Sequence, residues 1–251
     1  MAIGKEKATV DEMLPPPGLE DVGGGDIKAI GQAIANTLQT LFLPDDKFLD
    51  MGCGIGRVAI PLTQYLSKDG SYEGFDVMQS AIQHCIDKIA PSYQNFHFTH
   101  SDVFNKRYNP NGKIKANEYR FPYDDNSFDF ASATSLFTHL MTDAATQYLT
   151  EAARVIKPGG RFFATYFLLD GVASAHMDAK KSSIYFPYQV DASCWIHSQE
   201  EPEGAVCYEE AFMRRIYGDA GLEIQGEIGW GTWSGRIRVG GYQDHIIAIK
   251  R

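Results

Sequence analysis

FLDMGCGIGR, the stretch from Phe48 to Arg57, places three glycines within five positions directly after a short apolar run. Glycine adds no side chain to a core, and such a cluster indicates backbone that a ligand approaches more closely than a Cβ atom would allow. The apolar run predicts a strand, and the residues from Arg57 onward predict a helix. In open α/β sheets, ligands bind beyond the carboxyl ends of the strands, where helix N-terminal amides also point. We therefore expect a ligand at this turn.

The spacing of the glycines bears on which ligand binds. Gly52, Gly54 and Gly56 form a G-x-G-x-G pattern, whereas a dinucleotide pyrophosphate is bound by G-x-G-x-x-G. Asp50 stands just before the turn, where its charge disfavours a diphosphate but suits a ligand ammonium group. The next predicted strand ends at Asp76, about 20 residues past the last glycine, where a carboxylate accepts hydrogen bonds from ribose hydroxyls. Tight turns between strands and helices also carry glycine without any ligand, so the turn alone leaves that alternative open.

Predicted strands and helices alternate along the rest of the chain. Asp26 is a predicted N-cap, and such alternation indicates a mainly parallel sheet with helices on both faces. We expect one domain over residues 1–251, with an irregular segment at 170–206. The predicted helices span 27–43, 57–67, 80–90, 143–156 and 209–220, and the predicted strands span 47–50, 71–76, 95–101, 128–132, 161–169, 223–230 and 242–250.

The composition excludes several classes of partner. With 251 residues, 44% of them hydrophobic and 22% charged, the chain fits one α/β domain with a full core. Its net charge of −9 and the absence of a basic stripe argue against nucleic acid. No stretch approaches the roughly 18 consecutive apolar residues of a membrane span, and the N-terminus lacks an apolar signal-peptide core. The four cysteines are scattered, which favours free thiols in the cytoplasm. The sequence does not indicate an oligomeric state.

Five segments of the sequence resemble the motifs of class I S-adenosylmethionine-dependent methyltransferases. FLDMGCGIGR resembles the first motif and YEGFDVMQSAI the second, and FTHSDVF carries the acidic residue that follows the third strand. FPYDDNSFDFASATSLFTHL is similar to the fourth-strand segment, and YLTEAARVIKPGGRFFAT to the helix, turn and fifth strand after it. These segments cover about residues 47–169. The resemblance implies a Rossmann-like, seven-stranded, mostly parallel sheet with an antiparallel last strand and helices on both faces, and S-adenosyl-L-methionine as cofactor.

The resemblance also implies cofactor contacts at matching positions of this sequence. The glycines would approach the methionine and ribose portions of the cofactor, Asp76 would hold the ribose, and Asp102 would contact the adenine amino group. Thr134 and Ser135 lie where the fourth strand opens toward the methyl group. The residues implied to bind the cofactor are Asp50, Gly52, Cys53, Gly54, Gly56, Asp76, Val77, Met78, Asp102, Val103, Thr134 and Ser135.

Candidate catalytic residues lie beyond the implied cofactor contacts. A sulfonium methyl group is already activated, so the protein must position a nucleophile and, for a hydroxyl acceptor, remove its proton. Because imidazole titrates near neutrality, His139 after the fourth strand is a candidate base, although it could equally cap or pack under the next helix. His197 in the long insertion and Asp244 at the last strand are the other candidates. No metal is expected, because Asp124 and Asp125 read more simply as a polar turn.

Substrate specificity is expected outside the motifs. Residues 1–44 form an N-terminal arm and a helix that we predict to fold over the cofactor as a lid. Residues 170–206 form a substrate-side insertion, whose aromatic residues suit a pocket for a ring or a sugar. In the glycine-rich segment 227–242, Trp230 and Arg236 either contact an anionic or ring-shaped substrate or hold a hairpin together.

The sequence therefore predicts an S-adenosylmethionine-dependent methyltransferase of a small molecule, most simply by O-methylation of a sugar, phenol or other metabolite. N- or C-methylation stays open. A NAD-type Rossmann oxidoreductase also stays open, since a glycine turn followed by Asp76 can hold a nicotinamide ribose. A non-catalytic binding protein with the same fold is a further alternative. Residues 129–132, DFAS, lack the Asp/Asn-Pro-Pro-Tyr pattern of enzymes that methylate nucleobases or glutamine, which argues against those substrates.

Overall fold

A computed structural model describes residues 7–19, 25–237 and 241–251. Residues 1–6 and 20–24 of the predicted N-terminal arm lie outside the described residues, as do residues 238–240 of the glycine-rich segment. None of the described helices has the length and apolar character that a membrane crossing requires.

The chain forms two compact units, the first made of Met1–Asp102 and Phe128–Ser132, the second of Val103–Ser127 and Ala133–Arg251. In the first unit the strands are parallel neighbours. The helices and strands that start within this unit are α1 (Val10–Met13), α2 (Ile27–Leu38), β1 (Lys47–Met51), α3 (Ala59–Leu62), β2 (Ser71–Asp76), α4 (Gln79–Lys88), β3 (Phe96–His100) and β4 (Phe128–Ala133). β1 pairs with β2 and with β4, and β2 pairs with β3.

Aromatic side chains join the strands of the first unit. The ring of Tyr72 in β2 stacks on Phe48 in β1 and on Phe96 in β3, with centroids 5.4 Å and 5.0 Å apart. Phe130 in β4 lies 5.2 Å from Phe48. Side-chain pairs between neighbouring strands stabilise a sheet and fix its register, and these rings are almost fully buried. The carboxyl ends of the strands are therefore held side by side.

The helices of the first unit are shorter than the sequence predicts. Asp26 is the N-cap of α2, as predicted, and accepts a hydrogen bond from the Ala29 backbone. α2 ends at Leu38, and the predicted helix 57–67 is reduced to α3. Pro61 lies inside α3 and has no N–H to donate, and the chain continues in i→i−3 hydrogen bonds such as Gln64 N to Pro61 O. Those bonds tighten the predicted helix into turns.

The second unit continues the alternation and adds an antiparallel strand. Its helices and strands are α5 (Thr142–Val155), β5 (Ile156–Tyr166), β6 (Leu168–Leu169), α6 (Gly171–Asp178), β7 (Tyr188–Asp191), β8 (Cys194–Ile196), β9 (Val206–Glu209), α7 (Glu210–Asp219), β10 (Leu222–Ile224) and β11 (Asp244–Lys250). 3₁₀ helices lie at Ala116–Glu118, Phe137–His139 and Pro202–Gly204. β11 pairs antiparallel with β5 and with β10.

The strand order of the main sheet is β10-β11-β5-β4-β1-β2-β3, with seven strands. Helix α4 packs on β2 and β3, α5 on β5, and α7 on β10. The predicted fold class is confirmed: a seven-stranded, mostly parallel sheet whose last strand in the chain is antiparallel.

The segment 170–206, predicted to be irregular, is instead ordered. It contributes α6, β7 and β8, and a second sheet runs in the order β6-β9-β8-β7. Beneath it lies a core that includes Phe167, Phe186 and the fully buried Trp233. The sequence does not predict these strands because they are two to four residues long and β7 is exposed at every position, which removes the alternating pattern.

Two predicted strand boundaries also differ. The predicted strand 223–230 is reduced to β10, since Gly226 adopts a positive φ of 67° and only a single bridge, Gly229 to His245, follows it. The predicted strand 161–169 begins earlier, since β5 follows α5 directly and includes the Lys-Pro-Gly-Gly segment 157–160. A helix terminus and a strand start are one residue apart here.

Candidate functional site

The glycine turn follows β1 and depends on backbone conformations that glycine adopts readily. Gly52, Gly54 and Gly56 have φ values of 73°, 52° and 79°. The N–H groups of Gly52 and Cys53 both donate to the Phe75 carbonyl in β2, at 2.9 Å and 3.1 Å. These bonds fold the turn back over the end of the neighbouring strand.

The third glycine has a packing role of its own. A Cβ atom at Gly56 would lie 2.7 Å from Ile89 Cδ1 and 3.1 Å from Cys85 Sγ, at the end of α4. Close approach between a glycine turn and a neighbouring helix is a known reason for a third glycine in such turns. The side chain of Cys53 is buried in the same region, and burial raises the pKa of its thiol well above the usual range.

Asp50 is fully buried at the end of β1 and is held from both sides. Tyr72 Oη in β2 donates to one carboxylate oxygen at 2.6 Å, and Ser132 Oγ in β4 donates to the other at 3.0 Å. Burial raises the pKa of Asp50 to about 6, against the lowering effect of both hydroxyls. The sequence assigns no role to Tyr72 or Ser132, although both lie in motif segments, because their contacts with Asp50 form only when β1 pairs with β2 and β4. Asp50 thus ties three strands together below the turn.

Asp76 ends β2 and is fixed by backbone amides. One oxygen accepts from Gly54 N and the other from Met78 N, both at 2.8 Å. Burial is the main cause that raises the pKa of this carboxyl, and the amides of Met78, Gly54 and Val77 oppose it. A carboxylate has about four lone-pair positions, so these amide donors leave acceptor capacity for a hydroxyl.

The adjacent strand brings the other acidic residue to the same edge. Asp76 pairs in register with His100, the last residue of β3, two positions before Asp102. His100 Nε2 donates to the Val77 carbonyl at 3.0 Å and joins the two strand ends. The first unit therefore brings together the glycine turn, Asp50, Asp76 with the two residues after it, and Asp102.

Helix α2 packs against this turn. Ile27 of α2 forms a buried cluster with Ile55 of the turn and Ala81, and Met78 packs against that cluster. A Cβ atom at Gly31 would lie 2.2 Å from the carbonyl oxygen of Arg57, so α2 lies in direct contact with the backbone after the turn. The lid role of residues 1–44 stays a prediction.

In the second unit, Ser135 stands in a strained conformation. Its φ of 60° is uncommon for a residue with a side chain. The Ser135 amide donates to Thr165 Oγ1 at 2.7 Å, and both hydroxyls donate to Gln243 Oε1, at 3.0 Å from Ser135 and 2.7 Å from Thr165. Thr134 beside it is buried, and Val103 is buried and forms a bridge with Ile114. Nothing in the sequence indicates Thr165 or Gln243, which join Ser135 only through the antiparallel pairing of β5 and β11.

His139 ends a 3₁₀ turn and has a defined tautomer. Its Nδ1 lies 2.8 Å from the backbone carbonyl oxygen of Glu203. A carbonyl oxygen accepts only, so Nδ1 carries the proton and, in the neutral ring, Nε2 keeps its lone pair. Burial lowers the pKa of His139, and the charge of Arg107 lowers it further. Tyr208 Oη, from β9, donates to the carbonyls of Phe137 and Leu140 and anchors this turn.

The other two catalytic candidates lie elsewhere in the second unit. His197 is exposed and donates through Nδ1 to the Tyr185 carbonyl at 2.8 Å. Asp244 is fully buried and accepts from Gly231 N, Trp233 Nε1 and Leu168 N, at 2.7, 2.6 and 2.8 Å. Burial raises the pKa of Asp244 to about 6. Its hydrogen bonds hold the segment before β11 against β6.

The contacts of Trp230 and Arg236 bear on whether these residues bind a substrate or hold their own segment in place. Arg236 donates to an Asp170 carboxylate oxygen at 2.6 Å, and its guanidinium lies 4.1 Å from the Trp230 ring centroid. Asp170 is also the N-cap of α6. These contacts hold the segment to α6. Across the described ranges, no group of three or more His, Cys, Asp or Glu side chains is arranged to hold a metal ion.

A family of known proteins matches the part of the chain that contains the glycine turn. Residues 49–164 match the family model described as a methyltransferase domain. Residues 49–164 of this chain are therefore a methyltransferase domain. The match begins in β1 and ends in β5, so it includes the turn, Asp76 and Asp102, whereas the second sheet lies outside it.

Relatives and solved structures of methyltransferases are similar to this chain. The demethylmenaquinone methyltransferase of Symbiobacterium thermophilum is 27% identical over 49% of this chain and 43% of its own length. The chain spans less than half the length of the curated relatives it matches. A methyltransferase from Methanosarcina mazei gives a TM-score of 0.58 at 21% identity, over 85% of this chain and 96% of that one. The magnesium protoporphyrin IX methyltransferase of Synechocystis PCC 6803, solved with bound SAH, gives a TM-score of 0.57 at 17% identity, over 91% of this chain and 90% of that one. These structures establish the shared fold.

S-adenosylmethionine is the cofactor of this family, and the residues of this methyltransferase domain fit it. The turn exposes backbone in conformations that suit glycine, and Asp76 is fixed at the adjoining strand end with acceptor capacity to spare. The buried carboxyl of Asp50 below the turn disfavours a pyrophosphate at the same place. The glycine turn and the Asp76 carboxylate therefore suit a ligand with one nucleoside better than a dinucleotide joined by a pyrophosphate.

Proposed function

We propose that this protein transfers a methyl group from S-adenosylmethionine to a hydroxyl oxygen of a small molecule. The observation that carries the proposal is the fixed carboxylate of Asp76, held by Gly54 N and Met78 N at 2.8 Å beside the glycine turn. Such a carboxylate is prepared to accept a hydrogen bond from a ribose hydroxyl.

The residues proposed to hold the cofactor extend along three strand ends of the first unit. Gly52, Gly54 and Gly56 lie against the methionine and ribose portions, Asp76 holds the ribose, and Asp102 contacts the adenine. Asp50, Cys53, Val77 and Met78 complete this set in the first unit, and Val103, Thr134 and Ser135 are assigned from the second. When bound, S-adenosylmethionine supplies a methyl group on a positively charged sulfur that needs no further activation.

The protein's own task is then to position the acceptor and to remove its proton. His139 suits the second task, because its Nδ1–H is committed to the Glu203 carbonyl and Nε2 is free to accept a proton. Its lowered pKa keeps the ring neutral near neutral pH. A base of this kind favours a hydroxyl acceptor over a carbon, although N- and C-methylation stay as alternatives. Asp244 and His197 suit the task less, since Asp244 already accepts three hydrogen bonds and His197 is exposed.

A small-molecule acceptor is supported by the relatives. Two similar proteins are named for methylation of demethylmenaquinone, and one structural neighbour for methylation of magnesium protoporphyrin IX. Both acceptors are small molecules, and the net charge of −9 agrees with a partner other than nucleic acid. We further propose that the chain works as a single methyltransferase domain in the cytoplasm, with residues 1–44 as a lid and 170–206 on the substrate side.

Calorimetric titration with S-adenosylmethionine and, separately, with NAD tests the cofactor. We expect saturable binding of S-adenosylmethionine and none of NAD. Asp76→Ala should weaken binding at least about tenfold, in line with the loss of hydrogen bonds to a charged group. Asp69→Ala, at an exposed turn, is the matched control and should leave binding unchanged. Tighter binding of NAD, or full affinity in folded Asp76→Ala protein, would contradict the proposal.

The acceptor is then found by incubation with methyl-labelled cofactor and mixtures of phenols, sugars, amines and activated carbon acids. The labelled product and the labelled atom are identified by mass spectrometry and NMR. Label on nitrogen or carbon would replace the proposed O-methylation with one of its alternatives.

A further inference from the structure

A cavity of about 340 Å³ lies within the second unit, and its lining includes none of the residues assigned above to the cofactor or to catalysis. Small-molecule sites begin at roughly 300 Å³. Phe104 lines it and is 47% exposed, an unusual exposure for a phenylalanine. The lining residues are Phe104, Lys106, Arg107, Met141, Glu201, Pro202, Glu203 and Gly204.

Two cations hold the walls of this cavity together. Lys106 Nζ donates to the Glu200 carbonyl at 2.9 Å, and Arg107 lies 3.5 Å from a Glu201 carboxylate oxygen. Both contacts join the segment that follows β3 to the segment before β9. The cations are therefore engaged with the opposite wall, and the apolar side chains of Phe104, Met141 and Pro202 supply the lining between them.

Glu203 differs from the other charged residues of the lining. Its carboxylate accepts from Asn105 Nδ2 at 2.9 Å, and the backbone amide of Lys106 provides a second donor. Among the residues that the structure describes, no cation lies within ion-pair distance of it. Burial raises the pKa of Glu203, and the backbone amide and the charge of Lys106 oppose that rise.

The Glu203 carboxylate therefore has acceptor capacity left over in an apolar cavity. It offers about four lone-pair positions, and two N–H donors occupy only part of them. Glu203 is partly buried, and an acceptor withdrawn from water is stabilised by a donor, which a ligand can provide. The 3₁₀ helix Pro202–Gly204 fixes the position of Glu203, and its main chain also accepts the hydrogen bond from His139.

We infer that this cavity binds a small, largely aromatic molecule whose hydroxyl or N–H group donates a hydrogen bond to the Glu203 carboxylate. Phe104 and Met141 contact the ring, and Asn105 orients the carboxylate. That the bound molecule is also the methyl acceptor rests on the proposed function, whereas the binding itself does not.

A matched pair of probes tests the inference. 2-Naphthol and 2-methoxynaphthalene share the ring and differ in the hydroxyl donor, and binding of each to the full chain is followed by fluorescence titration. We expect 2-naphthol to bind at least about tenfold more tightly, because a hydrogen bond to a charged group is lost with the methoxy compound. Glu203→Gln should reduce that ratio to threefold or less. Glu200→Gln, an exposed carboxylate in the same segment, is the control and should keep it.

Thermal unfolding shows whether the Glu203→Gln protein is folded. If it is not, a second variant tests the inference. Met141→Trp fills the cavity and should abolish binding of both probes. No saturable binding to the wild type, equal binding of both probes, an unchanged ratio in folded Glu203→Gln protein, or unchanged binding to Met141→Trp would each overturn the inference. Titration of the same variants with S-adenosylmethionine separates the two proposals. Failure of cofactor binding alone would leave the cavity assignment standing.

Discussion

His139 Nδ1 donates a hydrogen bond to the backbone carbonyl oxygen of Glu203, 64 residues later in the chain, at 2.8 Å. The acceptor is main chain and cannot donate, so the contact selects one tautomer of the imidazole. The direction of the bond, more than the closeness of the two residues, makes His139 a candidate base.

His139→Ala should lower kcat by at least about 10², the contribution of a general base in a positioned site. Only the neutral imidazole accepts a proton, and burial lowers the pKa of His139. In the wild type, kcat should therefore rise with pH to a plateau, with its midpoint below the 6.5 of an ordinary histidine, and the variant should lose this rise. Steady-state kinetics across pH measure both. His197→Ala, an exposed imidazole, is the control, and a midpoint above 6.5 would exclude His139.

Gly56→Ala should destabilise the fold more than a substitution at another glycine of equal φ. Gly56 and Gly159 have φ values of 79° and 80°, yet a Cβ atom would meet Ile89 Cδ1 at 2.7 Å in the first case and no heavy atom within 4 Å in the second. Both variants bear the same backbone strain, and only Gly56→Ala overpacks α4. We expect a difference of about 1–3 kcal/mol in the free energy of unfolding, measured in urea. An equal loss of unfolding free energy in the two variants would show that α4 moves aside without destabilising the fold.

Asp50→Asn should remove part of the pH dependence of stability. The folded pKa of Asp50 is about 6, above the 3.8 of an unfolded carboxyl, so the native state binds the extra proton. Stability is then lost as pH rises through this window, by about 1 kcal/mol between pH 5 and pH 7. Urea unfolding at both values, in wild type and variant, measures the difference. Asp69→Asn, at an exposed ion pair, should follow the wild type. An Asp50→Asn protein with wild-type pH dependence would contradict the assignment.

Arg236 and Asp170 should be coupled in a double-mutant cycle. Their side chains are 13% and 19% exposed and 2.6 Å apart, so we expect a coupling energy of about 1.5–3 kcal/mol for a charged hydrogen bond. The more exposed pair Arg214 and Glu210 on α7 should give about 0.3–0.5 kcal/mol. If Arg236 serves the hairpin, Arg236→Ala leaves KM for the acceptor unchanged. A large rise in KM with little loss of stability would restore the substrate contact.

The sequence alone determined the features that depend on neighbours along the chain. The glycine turn after β1, the strand that ends at Asp76, the N-cap at Asp26 and the alternation of strands and helices all follow from local conformation and periodicity. Alternation also fixed the sheet as mostly parallel, because parallel strands need a connection that crosses the sheet. The resemblance of the motifs supplied the strand number and the cofactor.

Only the tertiary structure decided the features that depend on residues far apart in the chain. Ser132 holds Asp50 across 82 positions, Glu203 fixes the His139 tautomer, and Gln243 links Ser135 to Thr165 across β5 and β11. The second sheet also depends on distant residues, because its strands are two to four residues long and β7 is exposed throughout, so none of them produces a period. Hydrogen bonds of this kind form where the sheet brings strand ends together, and a single sequence contains no signal for that proximity.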